Sequence, residues 1–355
     1  MRLVIDPWVP MSVRYEIRAA LPEDEQQILV LAQHLNTVNL PHDQGHIHRL
    51  LDHSKKSFAA EIRSVSHRKF VFVLWDLSED RAVGTSMIVA QLGRRDAPYI
   101  YLDVIDEEKY SRSEDQHFHH TVLRIGFSYK GPTEIGGLVV LPSYRAARER
   151  LGLLISYVRF LYIASHRDLF QTEVLAELLP PLEADGTSHL WEALGRRFCN
   201  LSYAAADLLS SENKEFIKDL FPSGLIYASL LSSEAQAVIG KVGAQTKGVE
   251  KMLKRVGFRY AHRVDPFDGG PHFTAPTDEI SLVRETEVRR VLGPSSPTDA
   301  SLPGLCACEA PERPYFRAVP AALVFQGKDG VQLPAAVIAH LGLAEGDAVT
   351  CLPVR

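Results

Sequence analysis

Glu134-Ile135-Gly136-Gly137-Leu138-Val139-Val140-Leu141-Pro142, then an arginine-bearing loop, then Leu153-Leu154-Ile155-Ser156-Tyr157-Val158-Arg159-Phe160-Leu161-Tyr162-Ile163: this stretch decides the fold. The first run is apolar, short and stopped by proline, the pattern of a buried strand. The second carries Leu153, Leu154, Val158, Leu161 and Ile163 at helical spacing, so a long helix is expected over Gly152 to Phe170, with that stripe as core. Val174 to Leu178 reads as a short strand. Ser188 to Phe198 reads as an amphipathic helix through Leu190, Trp191, Leu194 and Phe198. Upstream, Tyr15 to Arg18 suits a strand, and Pro22 with Glu23, Asp24 and Glu25 opens a helix whose dipole favours acidic residues. Phe70 to Trp75 and Ala82 to Leu92, joined through Ser78 to Arg81, form a hairpin pattern. The order β-α-β-β-β-α-β-α implies an α/β (α+β) mixed sheet.

Further along, Ser233 to Val238 and Val249 to Val256 read as helices and Val238 to Val242 as a strand. The proline-rich stretch 293–320 reads as a linker, and the tail from Ala322 as a small β-rich module. The expected organisation is therefore an N-terminal extension (1–14), a first domain (15–201), a second α/β segment (202–292), the linker (293–320) and the tail module (321–355).

Composition narrows the class. The 355 residues carry 39 Lys+Arg against 44 Asp+Glu, a formal net charge of −5, and 46% are hydrophobic. That composition is globular, and its acidic balance argues against a nucleic-acid binder, which needs a basic face. No apolar run approaches the roughly 18 residues of a membrane span, and the N-terminus has no signal-peptide pattern, so a cytoplasmic location and no membrane partner are expected. Cys199, Cys306, Cys308 and Cys351 are too few and scattered for a disulfide framework or a zinc site. Two histidine groups, His42, His46, His48 and His53, and His117, His119 and His120, lack a companion carboxylate or cysteine set at ligand spacing. Solvated loop histidines are expected there, and no metal.

The strand, arginine-bearing loop, long helix, strand and amphipathic helix resemble the GNAT acyltransferase fold. The motifs Glu134 to Pro142, Leu153 to Arg167, Ala176-Glu177-Leu178, Leu190 to Phe198, Ala206-Asp207-Leu208, Glu234 to Gly240, Gly257 to Tyr260 and, above all, Val264-Asp265-Pro266-Phe267-Asp268-Gly269-Gly270-Pro271 resemble, in order, the arginine N-succinyltransferase family. The helix running into Gly257-Phe258 echoes Leu194 to Phe198, which suggests a second GNAT-like half. The resemblance implies transfer of a succinyl group from succinyl-CoA, as co-substrate, to the α-amino group of L-arginine. It implies no permanently bound cofactor, small-molecule partners, and a homo- or hetero-oligomer.

The resemblance also assigns residues. It puts the pantetheine of the acyl-CoA against the strand at Leu138, Val139 and Val140. It puts the pyrophosphate at the loop opening the helix, where free N–H groups and the dipole attract phosphate. That loop reads Arg145-Ala146-Ala147-Arg148-Glu149-Arg150-Leu151-Gly152 instead of glycine-rich, so Arg145 and Arg148, with Gly152, are candidates for holding phosphate; a solvated loop is the other reading. The family's proton-donor histidine falls on Gly243, in Val238-Ile239-Gly240-Lys241-Val242-Gly243-Ala244-Gln245-Thr246, and its role cannot be carried over. Glu134 and Glu177 are then the candidate catalytic bases, or structural carboxylates. Asp265 and Asp268 either engage a guanidinium or cap turns. The functional alternative is a non-catalytic or altered-acceptor homologue serving as a binding or regulatory subunit.

Overall fold

The structure, a computed structural model, describes residues 12–34, 40–95, 97–183, 185–212, 214–295 and 301–354. The expected N-terminal extension lies outside the described residues apart from 12–14. The strands in chain order are β1 Tyr15–Ala19, β2 Lys69–Asp76, β3 Arg81–Val89, β4 Tyr99–Ser111, β5 Gln116–Ser128, β6 Thr133–Val140, β7 Glu173–Glu177 and β8 Ile226–Tyr227. They continue as β9 Arg259–Val264, β10 Pro271–Pro276, β11 Glu287–Ser295, β12 Leu302–Glu309, β13 Phe316–Gln326, β14 Gly330–Pro334 and β15 Ala348–Pro353. The three longer helices of the first unit are α1 Glu25–Ala32, α2 Gln44–Phe58 and α3 Leu151–Ser165. No helix among the described residues is long and apolar enough to cross a membrane.

The chain divides into two compact units. The first comprises 1–90, 135–170 and 278–355. Here β1 is hydrogen-bonded between β2 and β13, antiparallel to both, and the order continues through β3 to β6. The long α3 is apolar nearly all round and correspondingly buried. Its Tyr162 ring sits within 5.4 Å, centroid to centroid, of Phe58, Phe70, Phe72 and Phe316, mostly edge to face. Such pairs contribute about 0.5–1.5 kcal/mol each beyond the area they bury. Arg159 on the same helix is 2% exposed and donates to the Ser156 carbonyl, the Ser156 hydroxyl and, at 3.4 Å, the Gly136 carbonyl. Burial without a carboxylate partner pushes its guanidinium down to about 9.

One expectation is corrected by the tail of this unit. The stretch 293–320 is not simply a linker: Leu302–Glu309 is β12, paired over its whole length with β13. With β15, β11 and β14 in between, the β12–β13 pairing closes five strands into a small barrel around Val291, Val319, Leu323, Val331, Leu333 and Val349. Proline in β12 and β13 misled the reading because proline removes only one ladder donor, and strands tolerate it where that donor faces outward.

The second unit comprises 91–134 and 171–277. Its strand order is β7-β10-β9-β4-β5-β8, and residues Thr133 and Glu134 of β6 pair in parallel with Val174 and Leu175 of β7. The 13-residue strands β4 and β5 make a long hairpin that the sequence reading passed over, because charged residues such as Asp103, Asp106 and Arg124 interrupt its apolar alternation. The segment Val238 to Val242 is not a strand: α-helix Ser233–Val238 ends there and Gly240 turns at φ +68°. Trp191–Gly195 is wound as a π-helical turn, with Trp191 stacked on Phe267 at 5.0 Å. A Cβ on Gly195 would lie 2.2 Å from the Trp191 ring, so the turn requires glycine there.

Gly137 kinks β6 in the middle of the deciding stretch, at φ +55°, with the Met87 side chain 2.9 Å from where a Cβ would stand. Gly137→Ala is expected to lower stability by about 1–3 kcal/mol through left-handed strain and overpacking, read as a lower urea midpoint with an unchanged m-value.

Candidate functional site

The groups able to do chemistry gather in the second unit. Strand alternation puts Glu173, Leu175 and Glu177 on one face of β7. Antiparallel pairing sets His272 of β10 directly across from Glu177, and parallel pairing sets Glu134 beside Leu175. Glu134 is buried, whereas a third of the Glu177 side chain is open to solvent. His272 is wholly buried; its Nδ1 lies 2.8 Å from the Tyr99 hydroxyl and its Nε2 3.4 Å from Glu177 Oε1, with no hydrogen-bond partner at Nε2.

The loop 265–270 supplies the other carboxylates. It is closed by Gly269 N–H donating to the Asp265 carbonyl and Asp265 N–H donating to the Gly270 carbonyl. Asp265 Oδ1 accepts from the Phe267 and Asp268 N–H groups, and Asp268 Oδ1 from that of Gly270. The aspartates therefore cap turns, one of the two roles the sequence allowed. The Tyr203 hydroxyl donates to Asp268 Oδ2 at 3.5 Å. Glu177, Asp265 and His272 each present an atom within 4.8 Å of the others, a set whose donors could hold a metal ion or an organic cation.

Confinement dictates the protonation states. Desolvation, then the charges of Glu134 and Asp265, hold Glu177 well above the usual carboxylate range. Desolvation, then Asp265, does the same to Asp268, and desolvation raises Asp265. Desolvation first and Asp265 second push Asp207 up to about 7. The cation whose field reaches Glu177, Asp265, Asp207 and His272 is Lys214. His272 moves the other way, down to about 3, because burial and the charges of Arg263 and Lys214 disfavour imidazolium. It is a neutral ring at pH 7.

The tyrosine end of this chain of groups borders a cavity of ≈ 330 Å³ lined by Tyr99, Tyr101, Lys130, Gln171, Glu173 and Arg263. Arg263 is fixed there by Asp103 Oδ1 at 3.2 Å and by the Tyr101 ring at 4.0 Å.

The remaining residues singled out in the sequence fall in the first unit. Leu138 is half-buried and Val139 and Val140 are buried on β6. Arg145 is exposed and donates to the Val140 carbonyl, Arg148 is exposed, and Arg150 precedes α3 in a left-handed conformation with no side-chain cap on the helix. A Cβ on Gly152 would meet nothing within 4 Å, so the fold itself does not demand glycine there. The histidine groups are dispersed: His48 pairs with Glu25, His53 with the His67 carbonyl, His117 with Glu108 and His119 with Asp106. His272, Tyr99, Tyr203, Asp207 and Lys214 were missed. The motif ending at Pro271 stopped one residue short of His272, and no local spacing connects it with Tyr99, 173 positions away.

Gly243 is sealed from within. Its N–H donates to the Leu179 carbonyl, as does the Thr246 hydroxyl, and a Cβ would stand 2.6 Å from the Pro180 oxygen and 3.0 Å from that of Leu179. The backbone following β7 occupies the space a side chain would take. Gly243→His and Gly243→Ala are both expected to lower stability by about 1–3 kcal/mol, by the overpacking of backbone on backbone, and neither raises turnover; chemical denaturation with a thiol-release assay checks both.

Asp207 gives a second test. Its native pKa lies above the unfolded value of 3.8, so the stability it contributes is present below about pH 4 and lost as pH rises towards 7. Asp207→Asn should match the parent at pH 4 and exceed it at pH 8, with the gap opening between those values, as thermal melting at a series of pH values will read.

Comparison with known proteins places the chain among relatives of one family. The family model described as Arginine N-succinyltransferase beta subunit matches residues 15–282. An arginine N-succinyltransferase of Yersinia enterocolitica is 31% identical over 279 residues, 78% of this chain and 80% of that protein. One from Citrobacter koseri is 31% identical over 282 residues, 79% and 80% respectively. Among solved structures, arginine/ornithine succinyltransferase subunit AI from Pseudomonas aeruginosa has a TM-score of 0.82 at 27% identity, covering 97% of this chain and 100% of that one.

Proposed function

The chain belongs to the arginine N-succinyltransferase family, and on that premise we propose that it transfers the succinyl group of succinyl-CoA to the α-amino group of arginine. One observation in this chain carries the reading: Glu177, Asp265 and Asp268 crowd together, with Glu134 adding to the field on Glu177, which suits a substrate bearing a guanidinium and an ammonium. A cationic substrate relieves the repulsion that the carboxylates otherwise retain.

The chemistry required is modest. The amine nitrogen forms a bond to the thioester carbon, the C–S bond breaks, one proton leaves the nitrogen and one reaches the departing sulfur. Glu177, the more open of the two glutamates and with its pKa raised by desolvation and by Glu134 and Asp265, is suited to give the proton to sulfur and regain one from the nitrogen. Glu134 deepens the field around it. The acyl-CoA features belong to the first unit: the backbone of Leu138, Val139 and Val140 for pantetheine, and the uncapped start of α3 at Gly152 with Arg145 and Arg148 for phosphate. Gly243 favoured a non-catalytic subunit in the sequence; the acid group of the second unit supports catalysis instead. Relatives described as subunits support an oligomeric assembly, and a cytoplasmic enzyme fits the donor.

Steady-state thiol release with succinyl-CoA and L-arginine tests the proposal; no release above a heat-killed control overturns it. Glu177→Gln should lower kcat by about 10²–10⁴-fold. Asp268→Asn keeps an acceptor for the Gly270 N–H and should act mainly on the KM for arginine, whereas Arg148→Ala should act mainly on the KM for succinyl-CoA.

A further inference from the structure

The ≈ 330 Å³ cavity beside Tyr99 has no task in acyl transfer, yet its charges are left open. Three of its lining residues carry charge at pH 7: Lys130, Glu173 and Arg263. Among the described residues Lys130 has no carboxylate and Glu173 no cation within ion-pair distance, although both line the same space. Arg263 is only half settled. Its Nε donates to Asp103 Oδ1, but Asp103 also takes Arg124 through Oδ2 at 3.1 Å. One carboxylate thus serves two guanidiniums, and the terminal nitrogens of Arg263 have no hydrogen-bond partner among the described residues.

The walls of the cavity are held by the protein itself. Gly131 N–H donates to the Leu92 carbonyl, and Leu92 N–H to that of Pro132. Gln171 N–H donates to the Thr133 hydroxyl, the Thr277 hydroxyl to the Gln171 carbonyl, and Thr277 N–H to the Thr172 carbonyl. The Tyr101 ring backs the Arg263 guanidinium at 4.0 Å, and the Tyr99 hydroxyl is engaged by His272. The volume is at the low end of the roughly 300–1,000 Å³ of small-molecule sites, which suits a ligand of amino-acid size rather than an acyl-CoA.

Charge selects among such ligands. Two cations and one anion, mutually unpaired, match a molecule with two anionic groups and one cationic group. A plain dicarboxylate would set its charge against Glu173, and a neutral amino acid would leave one cation unmet. We propose that this cavity binds a small acidic α-amino acid of the glutamate type, with one carboxylate on Arg263, the other on Lys130 and the ammonium on Glu173. The planar fork of Arg263 suits a carboxylate that takes two parallel hydrogen bonds. The site stands apart from Glu177, Asp265 and Asp268 and does not depend on the acyl-transfer reading.

Titration calorimetry of the full chain with L-glutamate, glutarate and L-glutamine, without CoA, tests the proposal. Saturable binding of L-glutamate is expected, with glutarate and L-glutamine each weaker by about 10–100-fold, the scale of one charged contact. Glu173→Gln should abolish the preference for glutamate over glutarate and keep that over glutamine; Lys130→Met should do the reverse. Both side chains reach solvent and have no ion-pair partner, so the fold does not depend on them. Each variant is read as a ratio of two ligands on one protein, which a general loss of stability does not imitate. The proposal is overturned by no saturable heat with L-glutamate up to about 10 mM, by glutarate or L-glutamine binding the parent as tightly as glutamate, or by preferences that survive unchanged in both variants.

Discussion

Carboxylates crowded together and partly withdrawn from water cannot all ionise, and this constraint governs the second unit. Glu134, Glu177, Asp265, Asp268 and Asp207 lie close enough for their charges to act on one another, with Lys214 offsetting part of the field. Each proton retained through a raised pKa costs stability at neutral pH. The neutral state of His272 is part of the same balance, since burial excludes the imidazolium that would otherwise settle the excess charge.

The backbone around the group is built to hold it. The loop 265–270 is tied to itself and, through Gly240 N–H donating to the Gly269 carbonyl, to the segment leading to Gly243. The same segment is tied to Leu179, two residues beyond Glu177. Three stretches far apart in sequence thus share one set of backbone hydrogen bonds. Gly243 is where they press together, which is why a histidine cannot simply be restored there.

The first unit rests on different physics. Its helix α3 is positioned by aromatic packing on Tyr162 and by the Ser86 hydroxyl donating to the Ile155 carbonyl, and its strand β6 is bent by Gly137. Arg159, buried and without a carboxylate, fastens helix to strand through Gly136. The start of the helix, at Arg150 and Gly152, carries no side-chain cap.

Much of this was legible in the chain. The run from Glu134 to Pro142, the helix at 151–165 and the strand before Leu178 have periodicities that only one kind of element satisfies, and their order fixed the mixed α/β class. Glu134, Glu177, Asp265 and Asp268 stood out because their motifs are contiguous. The β4–β5 hairpin and strand β12 did not, since charged positions and prolines mask a ladder whose partners lie elsewhere in the chain. Sequence by itself determined the family, the elements with a clear period and which carboxylates were worth watching. Tertiary structure alone decided that those carboxylates share one confined space, that His272 faces Glu177, and that Gly243 is sealed, because burial and mutual repulsion depend on distances between residues that no local pattern encodes.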